Sequence, residues 1–120
     1  MNFFKSAALS LVMLSSLASA KVAVEAIIVE DSAMITIPVM TLELNQPEVK
    51  FVDEIRFEAT LTESNTIIFD LASKNEEGNY ISFLHPELVL AEKETKATLE
   101  SVNKNGDKLV LLVQANEITE

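Results

Sequence analysis

Lys96-Ala97-Thr98-Leu99-Glu100-Ser101-Val102-Asn103-Lys104-Asn105-Gly106-Asp107-Lys108-Leu109-Val110-Leu111-Leu112-Val113-Gln114-Ala115-Asn116-Glu117-Ile118 is the stretch that decides the fold. Ala97, Leu99 and Ser101 alternate with Thr98, Glu100 and Val102, the two-residue period of a strand with one buried face. The segment from Asn103 to Asp107 then supplies turn chemistry, because Asn and Gly accept the positive φ angles of a hairpin reversal. Leu109-Val110-Leu111-Leu112-Val113 is apolar on both faces. A strand of that kind is expected at the centre of a sheet, covered on both sides.

The same signals recur upstream. Residues 22–30 are β-branched and almost continuously apolar, so they read as another strand with two covered faces. Glu30-Asp31-Ser32 breaks the run, and residues 33–44 resume it around Pro38. Proline cannot donate to a ladder, which places this strand at an edge, at a bulge, or in two pieces. Asn45-Gln46-Pro47 is the next turn, followed by a short strand at residues 49–52 and a turn at Asp53-Glu54. Ile55, Phe57, Ala59 and Leu61 point one way while Arg56, Glu58, Thr60 and Thr62 point the other. Glu63-Ser64-Asn65-Thr66 returns the chain into residues 67–71, and residues 74–79 form a loop. Short strands at residues 80–84 and 88–91 are split by His85-Pro86. The stretch most compatible with a helical turn is residues 88–99, with Glu92 to Lys96 as the exposed turn.

Pro38-Val39-Met40-Thr41-Leu42 also matches Pro86-Glu87-Leu88-Val89-Leu90 in outline, and each is followed by a hairpin. The fold expected is therefore all-β: a single-domain antiparallel β-sandwich, rich in hairpins, with two similar halves. Ile27, Val29, Val110, Leu112, Ile35 and Ile37 are apolar on faces that a one-sided sheet would leave polar. A second sheet is the expected cover, and an exposed patch or free edge strand for a partner is the alternative.

Residues 1–20 read as a leader. Met1-Asn2-Phe3-Phe4-Lys5 is a basic start, residues 7–17 are apolar, and Ala18-Ser19-Ala20 fits signal peptidase, which makes Lys21 the expected mature N-terminus. The apolar run is shorter than the roughly 20 residues that span a bilayer. Residues 21–120 are then one exported domain, destined for the periplasm or the medium. The chain has no cysteine, so neither a disulfide framework nor a lipid-modified cysteine is open to it.

The formal charge is −10, and removal of Lys5 with the leader makes it −11. That surface repels nucleic-acid phosphates and anionic headgroups, and attracts cationic partners. No nucleic acid and no direct membrane insertion after leader cleavage are expected.

Catalytic signatures are sparse. His85 is the single histidine, which with the missing cysteines leaves no thiolate chemistry and no His/Cys zinc site. Gly78 and Gly106 are the two glycines and neither lies in a phosphate-binding loop. A glycosidase pair would want aromatic sugar platforms, and the chain has no tryptophan and one tyrosine, Tyr80. The order of oxygens from Asn103 to Asp107 is wrong for an EF-hand, and Glu76-Glu77-Gly78-Asn79 reads as a solvated loop. The reading is a non-enzyme with no catalytic, cofactor-binding or metal-ligating residues. Its protein partner is unidentified. The alternatives are an acidic inhibitor or scavenger of a cationic exported protein, and a small hydrolase drawing on carboxylates such as Asp53, Glu54, Glu76 and Glu77.

Val22-Ala23-Val24-Glu25-Ala26-Ile27-Ile28-Val29-Glu30 resembles the opening strand of the β-domain in bacterial secretins, which tends to read V-x-V-E-A-x-I-x-E. The proline-led strand Pro38-Val39-Met40-Thr41-Leu42 and the following Asn45-Gln46-Pro47-Glu48-Val49 are similar to that family in outline. The resemblance runs from Val22 to Val52. Secretins are far longer and carry ring-forming modules and membrane-spanning strands. The resemblance therefore implies a small exported relative of the β-module without a pore, serving envelope assembly or secretion. No catalytic residue carries over.

Overall fold

The computed structural model describes residues 21–102 and 106–118. The expected leader and part of the last turn, Asn103 to Asn105, lie outside the described residues. Within these residues nine strands follow in order: β1 (Lys21–Glu30), β2 (Ala33–Leu42), β3 (Glu48–Val52), β4 (Ile55–Leu61), β5 (Thr66–Lys74), β6 (Tyr80–Leu84), β7 (Glu87–Val89), β8 (Glu94–Val102) and β9 (Lys108–Ile118). There is no helix among the described residues. Residues 92–96, the expected helical turn, instead lead into β8, where Lys96 pairs with Gln114 of β9.

The strands form two antiparallel sheets packed as a β-sandwich, as the alternating patterns predict. The first sheet has the order β2-β1-β9-β8. The second runs β3-β4-β5-β6, with β7 also pairing with β5. Along the far side of β5, β7 pairs with residues 66–68 and β6 with residues 71–74. The sheets do not follow the two similar halves of the sequence. Lys21 pairs with Ile118 and Glu30 with Leu109, so the two ends of the chain build one sheet and its middle builds the other.

Turn chemistry accounts for the punctuation. Asp31, Asn45, Asp53 and Asn65 all have positive φ, at 55°, 61°, 54° and 60°. Each sits at a break read from the sequence, and Asn and Asp are the side chains that enter this region most readily. Gly106 has φ of 85°, as its place in the last turn requires. Pro38 satisfies two expectations at once. β2 is an edge strand, and Pro38 and Val39 together oppose the single residue Glu25, which is a β-bulge.

The core lies between the sheets. Val22, Val24, Ala26 and Ile28 of β1 and Leu109, Leu111, Val113 and Ala115 of β9 supply one wall. Phe57, Ala59 and Leu61 of β4 and Ile67, Phe69 and Leu71 of β5 supply the other. The Phe57 and Phe69 rings are tilted against each other with centroids 5.5 Å apart. Ile37 is buried in this core and Ile35 packs against it, as expected for residues under a second sheet.

Ile27, Val29, Val110 and Leu112 do not share that cover. Strand alternation turns them to the opposite face of the first sheet, and Leu112 is 39% exposed. The expectation of two covered faces for β1 and β9 is therefore corrected. A sheet has two faces, one second sheet covers one of them, and a continuously apolar strand must leave its other half outside.

Candidate functional site

That open face is concave. Ile27 of β1 and Leu112 of β9 are cross-strand partners and form the floor. Pro38 and Val39 rise on one side, where the bulge bends β2; Thr98 and Lys96 of β8 stand on the other. Glu25 and Gln114, also partners across β1 and β9, close one end. The trough has a volume of about 540 Å³. Beyond its other end the apolar surface continues through Val29 and Val110, which pair with each other, to Met34. Met34 is 67% exposed and Val39 57%. The order along the trough is thus a charged end, with the Glu25 carboxylate and the Lys96 ammonium on either side of Gln114, then an apolar floor, then an apolar shelf. Such a surface can hold an extended apolar segment and offers Glu25 to a positive group on it.

A polar cluster stands on the outer face of the second sheet. Asp70 of β5 lies directly opposite Glu58 of β4, a repulsive pairing of like charges. Arg56 offsets it, with Nη2 3.2 Å from Asp70 Oδ2 and its guanidinium 5.9 Å from the centroid of the Tyr80 ring. Tyr80 in turn packs against Phe51, with centroids 5.5 Å apart. His85 Nε2 reaches within 3.5 Å of Asp70 Oδ1, although that oxygen and Arg56 Nε are both buried without a hydrogen bond. The structure therefore brings His85 to a carboxylate, a contact across 15 residues that the sequence gives no sign of. No hydrogen bond joins the imidazole to a serine or threonine hydroxyl among the described residues. Geometrically this is a cross-strand ion pair with an aromatic flank.

The other carboxylates considered from sequence are turn residues. Asp53 and Glu54 connect β3 to β4, and the Glu54 carbonyl accepts from the Lys74 amide at 2.9 Å. Glu76 and Glu77 lie in a loop organised by Asn75, whose Oδ1 accepts from the amides of Glu77 at 3.0 Å and Asn79 at 2.9 Å. Among the described residues no three of His, Asp and Glu are grouped to hold a metal ion. A smaller hollow of about 240 Å³ lies at one end of the sandwich between Ile28, Ile55, Phe83 and Leu109, with Glu30 and Asp107 at its rim.

No family model, curated protein or solved structure matches this chain.

Proposed function

We propose that this chain is an exported, non-catalytic β-sandwich that binds another protein, taking an extended apolar segment with a basic residue along the trough of the first sheet. The observation that carries this reading is the row of half-buried Ile27, Val29 and Val110 with exposed Leu112, on the face of the first sheet turned away from the second. Aliphatic residues on the two central strands of a sheet are retained outside when something else desolvates them. The basic residue follows from net charge: the whole chain is strongly acidic, and at the trough itself Glu25 faces the single cation Lys96. The leader supports an extracytoplasmic site of action, and the secretin-like pattern of residues 22–52 supports a role in envelope assembly or secretion.

The test uses two synthetic peptides, one alternating Val and Lys and one alternating Val and Glu, titrated against the protein by calorimetry. The Val/Lys peptide should bind and the Val/Glu peptide should not. Leu112→Glu should weaken the Val/Lys complex at least roughly tenfold, since it places a charge in the desolvated centre of the contact. If Leu112→Glu binds like the parent while affinity falls steeply with salt, the protein is a charge-driven scavenger of cationic proteins, and the trough is not its site.

A further inference from the structure

We infer that the protein is a homodimer in which β8 pairs antiparallel with β8 of a second copy, joining two four-stranded sheets into one of eight. The inference goes beyond the proposed function and rests on the backbone edge of the first sheet, although the outward side chains of that edge, Lys96 and Thr98, also stand beside the trough.

Among the described residues, three of the four sheet edges are blunted. β2 carries Pro38 and a bulge, β3 has five residues, and the edge beside β5 is shared by β6 and β7, with His85-Pro86 between them. β8 is different. It runs nine residues with no proline, glycine or bulge, and it pairs on one side with β9 in unbroken register. Its other side presents a row of backbone donors and acceptors.

The sequence of β8 is complementary to itself. Turned about Thr98, Glu94-Thr95-Lys96-Ala97-Thr98-Leu99-Glu100-Ser101-Val102 sets Lys96 of each copy opposite Glu100 of the other. Thr98 meets Thr98, a favourable cross-strand pair. On the inward face Ala97 meets Leu99 and Thr95 meets Ser101, so apolar pairs with apolar and hydroxyl with hydroxyl. All nine residues are used and no like charges face each other. The ends, Glu94 and Val102, face each other. Centring the pair on Ala97 instead would set Glu94 against Glu100, and centring it on Leu99 would set Thr98 against Glu100 and lose both Lys96–Glu100 pairs. A shift by one residue would turn every side chain to the wrong face.

The charges on the strand are placed for this register. Lys96 has no ion pair or hydrogen bond among the described residues; its neighbour Gln114 bonds instead to Glu94, at 2.9 Å. Glu100 meets Lys108 at 3.2 Å but stays 59% exposed, with oxygen surface free for a second cation. Alternating charges of this kind hinder pairing with an arbitrary strand and permit it with the matching one.

The experiment is sedimentation equilibrium of the protein expressed with its own leader, from about 1 to 100 μM, a span in which a small strand-pair interface associates. A reversible monomer–dimer equilibrium is expected. Lys96→Glu and Glu100→Lys should each raise the dissociation constant on the order of tenfold, because two attractive pairs become two repulsive ones. Combining the two substitutions restores opposite charges, and should restore the dimer. A monomer throughout the range overturns the proposal, and so does a dimer indifferent to both single substitutions. Failure of the double variant to recover overturns the register. No peptide is present in these runs, so their outcome does not depend on whether the trough takes one.

Discussion

Leu111 is 1% exposed and faces the core from the centre of the first sheet. Truncating it removes transfer energy and leaves a cavity, so Leu111→Ala should cost about 2–5 kcal/mol in a denaturant titration. Gly106→Val tests a different term. No atom lies within 4 Å of where a Cβ would stand, so the cost comes from the backbone alone, at a φ of 85°. The loss should be about 1–2 kcal/mol, smaller than that of the leucine. Leu112 shares a strand with Leu111 and faces the opposite way. In the same titration Leu112→Glu should change stability by only about 0.5 kcal/mol, as exposed substitutions do. The contrast between these neighbours shows where reading the sequence stops. The apolar run of residues 109–113 marks a central strand, but hydropathy does not say whether the second face meets another sheet or water. The contact between His85 and Asp70 was equally hidden, because it depends on which strands lie beside β5.

At the scale of elements, the breaks were legible because they rest on single residues with local preferences. Asp31, Asn45, Asp53 and Asn65 each mark a reversal by taking positive φ. The alternation of residues 55–61 likewise survives intact in β4, with Phe57, Ala59 and Leu61 buried. The order of strands in the sheets was not legible, since it depends on pairing between distant segments. Asn65 shows how one turn residue serves that pairing. Its backbone carbonyl accepts from the Leu90 amide and its Nδ2 donates to the Leu90 carbonyl, both at 2.9 Å. These bonds hold the chain beside β5 as it leaves β7 for the other sheet. Asn65→Ala removes one of them and the side chain that tolerates positive φ, at a cost of about 1–3 kcal/mol. Hydrogen exchange should show the amides of Leu88 to Leu90 opening first, while those of β1 and β9 remain protected.

For the molecule as a whole, charge acts at a distance that no single contact covers. Association of the Val/Lys peptide should slow as ionic strength rises, because an acidic surface steers cations through a field that salt screens. Stopped-flow measurement at two salt concentrations checks this; an unchanged association rate would leave only short-range contacts. The pairing of β1 with β9 has a consequence in time. A ribosome makes β1 first and β9 last, and Val24 or Ile28 cannot be enclosed until residues nearly the whole chain away have been synthesised. Contacts so distant in sequence form slowly. A nascent chain ending at Val102 should therefore remain open to protease, and acquire resistance only once β9 is added. Such a polypeptide leaves the ribosome still thread-like, and on the export proposed above that is the form a narrow translocation channel admits.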